Sequence, residues 1–198
     1  MSDHESETRA AIAEAAEAAI CETLGSSRYA CLLLSTVGGS LAQEVFGRPY
    51  HLIVGSLQIL SGGVDPETGE PAGIEMSTSD GQCFHAVFGC QHSNGKWELA
   101  DISAKHYKAY AEAVPGIEWS FGEPPPYVWG FWPNAFPDYV RFVPDRDATR
   151  RQLEKLKGSE EVKDLVNKTI QVYSNIKLKR KRVIIHGNHP SRRQRPDL

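Results

Sequence analysis

The sequence predicts an α+β fold, an antiparallel sheet packed against helices, on three observations. The first 46 residues repeat apolar side chains at helical spacing. In the middle, FHAVFGCQH (84–92) and KWELADI (96–102) read as two strands joined through Asn94-Gly95, a strong hairpin signal. Two further amphipathic stretches, 147–157 and 160–173, close the folded part and are separated by Gly158.

Each element has a local reason. Ala11, Ile12, Ala15, Ala16, Ala19, Ile20 and Leu24 mark a helix over 5–24, which Gly25 ends. Ser26 or Ser27 is placed to cap a second helix. Leu32, Leu33, Leu34, Val37, Leu41, Val45 and Phe46 cover much of that helix, so it is expected to be central. Gly38-Gly39 weakens a helix and points to close approach by a neighbouring backbone. Gly47-Arg48-Pro49 breaks it, and 50–60 has strand composition. A polar Gly/Pro-rich loop follows over 61–73, then a short strand over 74–78. Residues 104–113 fit a helix, and 127–132 and 138–143 two more strands. The stretch 115–137, with Trp119, Trp129 and Trp132, is read as a packed irregular loop or an aromatic wall over a cleft.

The 198 residues are 40% hydrophobic and 9% aromatic, enough for one cored domain and too apolar for general disorder. No run approaches the ~18 apolar residues of a membrane span. The acidic, alanine-rich N-terminus lacks the pattern of a secretory signal, which places the chain in the cytoplasm. Its four cysteines, Cys21, Cys31, Cys83 and Cys90, are then expected to be reduced.

The net charge of −3 divides unevenly. Residues 177–198 hold eight Lys/Arg and one Asp, a charge of +7, so the rest carries −10. The expected organisation is one domain over 1–176 and a basic, partly disordered tail over 177–198, with 183–185 as a possible edge strand. A nucleic-acid contact rests on that tail alone and is not expected, because short basic runs are usually solvated. The sequence leaves the oligomeric state open.

Cys31 falls in the first turn of the second helix, where unpaired N–H groups and the helix dipole stabilise a thiolate. A nucleophilic cysteine needs a base, and the base an orienting group. His85 and Asp101, one on each strand of the hairpin, are the candidates. A two-residue Asn94-Gly95 turn sets Asp101 opposite Phe88 and puts His85 and Asp101 on opposite faces. A three-residue loop, Ser93-Asn94-Gly95 with Gly95 left-handed, pairs His92 with Lys96 and sets Asp101 opposite Val87. His85 and Asp101 then become diagonal neighbours on one face. Asp101 is also placed to cap the helix that starts near Ile102.

The same count argues against structural zinc on Cys83, His85, Cys90 and His92. A regular strand turns the first pair and the second pair to opposite faces. No metal and no cofactor is expected. Cys21 and Cys90 read as core, Cys83 as packing near the site, His51 as structural and His106 as exposed. His186 and His189 belong to the tail.

The order of RYACLLL (28–34), CFHAVFG (83–89) and WELADIS (97–103) resembles the papain-like cysteine enzyme superfamily in its broad sense. The likeness is to its transglutaminase-like and arylamine N-acetyltransferase-like branches, within a small bacterial family. GRPYHLIVGSLQI also resembles the turn and strand that follow their helix. The resemblance covers about residues 26–103. It implies a papain-like core and a cysteine-dependent hydrolase or acyltransferase acting on an amide, peptide or thioester, with a small-molecule or peptide substrate and no membrane. Cys31 would attack, His85 would move the proton, and Asp101 would hold the imidazole. The Cys31 N–H is then one oxyanion donor, with Arg28, Gln58 and Gln82 as candidates for the second. The rival reading is a non-catalytic binding module with the same fold.

Overall fold

The computed structural model describes residues 3–64, 69, 71–78 and 84–187. Cys83, Gln82, His189 and the rest of the expected tail from 188 onward lie outside the described residues. Among the described residues the chain is a mixed α+β fold with five helices and a six-stranded antiparallel sheet. Helices α1 (Asp3–Leu24) and α2 (Cys31–Phe46) precede strands β1 (His51–Val64), β2 (Pro71–Met76), β3 (His85–Gln91) and β4 (Trp97–Asp101). A 3-10 turn (Ala104–His106) leads into α3 (Tyr107–Ala111). Strands β5 (Val128–Phe131) and β6 (Val140–Pro144), then α4 (Arg146–Leu156) and α5 (Glu160–Gly187), complete the order.

The long strand β1 organises the sheet. Gly55 pairs with both His85 and Pro144, so β3 and β6 flank β1 on opposite edges. Leu57 pairs with both Met76 and Phe142, so β2 shares β3's edge. The end of β2 and the start of β3 therefore abut along one side of β1. That junction is where the candidate site forms.

The two faces of the sheet bury different partners. Phe88, Cys90 and Ala100 face the helical layer, packing with Leu34, Val37 and Leu41 of α2, Ile12, Ala16 and Ile20 of α1, and Leu165 of α5. Full burial of such apolar side chains stabilises by about 1.5–3 kcal/mol each. Gly38 and Gly39 lie under Phe88. A Cβ on Gly38 would come within 2.9 Å of its ring, and one on Gly39 within 3.1 Å of its Cβ. The neighbours that come close there are side chains, Phe88 and Ile102, and not the expected backbone. On the opposite face, Val87, Leu57, Ile59 and Phe142 pack with Tyr107 and Tyr110 from α3.

Local reading and structure differ in three places. Strand β1 continues to Val64 through Ser61-Gly62-Gly63, where a loop is expected. Ser61 O accepts from both the backbone N and the hydroxyl of Ser120, and Val64 pairs with Pro71, so tertiary pairing overrides turn-like composition. The expected edge strand at 183–185 is helical instead, because α5 runs unbroken across 176/177 to Gly187. Along α1, Arg180 donates to Glu7 O and to Glu14 Oε2, which ties the start of the basic run to acidic α1. Helix α2 also starts without either serine as its cap. Its N-cap is Ala30, with no side-chain cap bond. No helix among the described residues is long and apolar enough to cross a membrane.

Candidate active site

The β3–β4 turn decides whether the hairpin brings an imidazole and a carboxylate together. His92 N donates to Lys96 O at 2.8 Å, Gly95 N donates to His92 O at 2.9 Å, and Gly95 has φ +79°. The loop is therefore Ser93-Asn94-Gly95, with glycine at the position whose left-handed backbone disfavours a side chain. Pairing continues as Gln91↔Trp97, Cys90↔Glu98 and Phe88↔Ala100. In that register His85 and Asp101 lie diagonally on one face, and His85 Nε2 sits 2.6 Å from Asp101 Oδ2.

Both groups are fully buried, at 0% exposure, and the carboxylate is saturated with donors. Ser103 donates to Oδ1 from its backbone N at 2.8 Å and from its hydroxyl at 2.7 Å. Tyr107 donates its hydroxyl to Oδ2 at 2.6 Å. Burial works against the charged carboxylate. The charge and hydrogen bond of His85, with the bonds from Tyr107 and Ser103, outweigh it and hold Asp101 below the usual carboxylate range. Burial likewise works against the imidazolium, and the charge and hydrogen bond of Asp101, with a smaller contribution from Cys31, raise His85 to about 10. An ionised carboxylate only accepts, so Nε2 carries a proton. The nitrogen left over, Nδ1, is buried and makes no hydrogen bond of normal geometry among the described residues.

Cys31 opens α2 with its side chain half-buried. Its Sγ lies 4.0 Å from the carbonyl oxygen of Phe84, the residue before His85. With no side-chain cap, the first-turn N–H groups of α2 are left for another acceptor. Ser26 and Ser27 serve the approach loop instead. Ser26 Oγ accepts from Arg28 N, and Ser27 Oγ bonds Glu17 Oε1 and His106 Nε2. Tyr29, two residues before Cys31, has φ +65°, a strained backbone of the kind found at ligand sites. Its ring stacks on Tyr110 with centroids 5.4 Å apart, and Arg28 lies over its other neighbourhood, 4.8 Å from the ring.

A cavity of about 410 Å³ reaches Cys31 and His85. Leu32, Ile74, Met76, Phe84 and Val114 give it apolar walls, and Tyr29 and Tyr110 form one side. Its size falls in the usual range for small-molecule sites.

The other candidates sit elsewhere. Arg28 donates to Ala109 O rather than lining this cavity, and Gln58 lines a separate depression with Glu75 and Arg141. His51 and Trp132 border a different groove, and His106, expected to be exposed, is half-buried against Ser27. Trp119 packs into the second core face and Trp129 beside the first, so neither walls the cavity at Cys31. Ser103 and Tyr107 escape a reading by strand alternation. Ser103 follows Asp101 by two residues, the spacing of a local side-chain-to-backbone bond, which is a usable signal. Tyr107 reaches the carboxylate through a turn that periodicity does not describe.

On the helical face, Cys90 Sγ, His92 Nε2 and a Glu98 oxygen lie within 4.8 Å of one another. They are potential metal ligands, but the buried carboxylate already has cationic partners. It pairs with Arg9 and Arg48 and accepts from Tyr50, Trp129 and His92. Burial works against its charge, while the His92 bond, Arg9 and Arg48 hold Glu98 below its ordinary value. His85 points to the opposite face and does not join these three groups, and Cys83 lies outside the described residues.

No family model matches the chain, and no curated protein sequence matches it. Among solved structures it is similar to the crystal structure of a genomics target, at 12% identity and a TM-score of 0.51. That likeness covers 82% of this chain and 77% of the other, and it is one of fold.

Proposed function

We propose that this chain is a cysteine-dependent hydrolase or acyltransferase with a papain-like core, using Cys31, His85 and Asp101 on an amide, peptide or thioester. The observation that carries the reading is His85: a buried imidazole bonded to Asp101 through Nε2, with no hydrogen bond of normal geometry at Nδ1 among the described residues and Cys31 acting on the same ring. In this reading the Cys31 proton already rests on Nδ1 in a thiolate–imidazolium pair, the charged form of His85 that Asp101 favours, and the thiolate attacks the acyl carbon. The tetrahedral oxyanion is held by N–H groups of the uncapped first turn. His85 then protonates the leaving group, and water or an acceptor takes the acyl group from sulfur. Asp101 holds the ring and balances its charge. The rival, a binding module of the same fold, suits a cysteine sealed in the core. The half-buried Cys31 at a cavity favours the enzyme.

Iodoacetamide labelling with mass-spectrometric site assignment tests the reading across a pH series. Cys31 should be alkylated ahead of Cys21 and faster than a free thiol near neutral pH, and substrate-like amides should protect it. In His85→Ala the rate should fall by about 10²-fold, the lower end expected for a lost general base. Alkylation at the rate of a free thiol, unchanged in His85→Ala, refutes it.

A further inference from the structure

Helix α2 and strand β3 touch at matched intervals. The Cys31 thiol is turned to Phe84 O at 4.0 Å, the Ser35 hydroxyl donates to Ala86 O at 2.7 Å, and Gly39 lies against the Cβ of Phe88. Each step is four residues along the helix and two along the strand. Four helical residues rise about 6 Å and two strand residues advance about 6.7 Å, so the two elements stay nearly in step. The Ser35 bond is the short contact of this series. Ser35 is 2% exposed and Ala86 0%, so water does not compete for it.

The bond also fills a gap in the sheet. Ala86 pairs with Val54 on β1, yet Val54 N donates to Thr149 Oγ1 and Val54 O accepts from Asp145 N. Those groups face away from β3, so the pair exchanges no ladder bonds and Ala86 O turns to the other side. There the pairing of β4 with β3 stops at Phe88. Among the described residues no strand donates to Ala86 O, and a buried carbonyl needs a donor. Ser35 supplies it from the turn of α2 that follows Cys31.

Resting on the cysteine-enzyme reading, we propose that Ser35 is a positioning residue: its hydroxyl, fixed on Ala86 O, sets the height of α2 along β3 and so holds the Cys31 sulfur beside His85. The sulfur does not hold itself there, because a thiol is a weak donor and its own contact is long. Cys31 lies four residues before Ser35 on the same helix face, and His85 directly precedes Ala86 on the strand. One hydroxyl thus ties the residue next to the base to the turn next to the nucleophile. The rest of the contact is the apolar packing of Cys31, Leu32 and Phe84 on Val54, Ala86 and Ala148, which is non-directional and grips no single register. Without the hydroxyl the sulfur drifts from the imidazolium, and the thiol then keeps its proton to higher pH.

The test is the pH profile of Cys31 alkylation by iodoacetamide on the full chain, read by mass spectrometry. Ser35→Ala removes the hydroxyl, Ser35→Thr keeps it, and Ile20→Val trims a buried side chain of α1 without touching the bond. Ser35→Ala should melt below wild type, and the acid limb of its profile should move to higher pH by about one unit, a tenfold loss of rate on that limb. Ser35→Thr should restore the limb. Ile20→Val should melt lower with the wild-type profile, because lost stability alone does not displace the sulfur. A wild-type profile in Ser35→Ala overturns the proposal. So does a Ser35→Thr limb displaced like that of Ser35→Ala, or an Ile20→Val limb displaced as far. A Ser35→Ala chain that does not fold also overturns it, since the hydroxyl would then hold the fold and not the height of the cysteine. A wild-type Cys31 that reacts like a free thiol at every pH, unchanged in His85→Ala, removes the underlying enzyme reading instead.

Discussion

His85 and Asp101 meet at 2.6 Å because the turn between their strands holds three residues and not two. One residue less moves the carboxylate to the helical face, since side chains alternate along a strand. Deleting Asn94 should therefore abolish the preferential alkylation of Cys31. Gly95→Ala keeps the count and adds only the cost of a left-handed backbone, about 1 kcal/mol. It should lower the denaturation midpoint slightly and leave labelling intact. Denaturant titration and labelling of the two variants side by side separate register from stability.

Counting leaves two turns open and shows only that His85 and Asp101 share a face in the three-residue one; the backbone of the turn, with Gly95 left-handed, decides it. The helix start at Cys31 was legible, though for a partly mistaken reason: Ser26 and Ser27 hold the approach loop rather than cap the helix. The less visible features come from contacts distant in sequence. Ser120 holds Ser61 in a strand despite its glycine neighbours. Glu7 and Glu14 help extend α5 beyond the point where its own periodicity weakens. Tyr107 and Tyr110 belong to a helix of five residues, too short to announce a face.

Tyr107→Phe removes one of the two side-chain donors on Asp101 Oδ2. A hydrogen bond to a charged group is worth about 1.5–3 kcal/mol, so the melting temperature should drop correspondingly. Asp101 then binds its proton more readily. The acid limb of the Cys31 alkylation profile should move to higher pH, whereas a loss of packing alone would leave that limb in place.

The buried ion pair fixes the pH window of its own stabilisation. His85 is raised in the folded state, so its contribution is complete below the unfolded imidazole value, near 6.5, and fades as pH rises through about 10. Asp101 is lowered, so its contribution is complete above the ordinary carboxylate value and is lost as pH falls through the lowered one. His85→Gln keeps a donor for Asp101 but carries no charge. Its deficit in melting temperature against wild type should be largest near pH 5–6 and shrink steadily towards pH 10. A deficit independent of pH would show that His85 is neutral in the fold.

Glu98 offers the complementary case, a buried charged centre on the helical face of the sheet. Glu98→Ala removes the carboxylate shared by Arg9, Arg48, Tyr50 and Trp129. Breaking a buried pair in this way costs about 3–5 kcal/mol. The variant should melt far below wild type, yet wherever it remains folded its Cys31 should be labelled at the wild-type rate. Equilibrium dialysis with zinc should show no binding by wild type at this cluster.

The complete burial of His85 also has a consequence for where protons travel. Its ring is walled off by strands and by Tyr107, while Cys31 beside it borders open space. The cavity lined by both residues is the described opening nearest the imidazole, and Cys31 stands at it. A substrate seated over Cys31 closes that opening for as long as it stays. Under the proposed cysteine chemistry, the proton taken from the thiol would be the same one delivered to the leaving group, and solvent hydrogen would enter only after the first product departs.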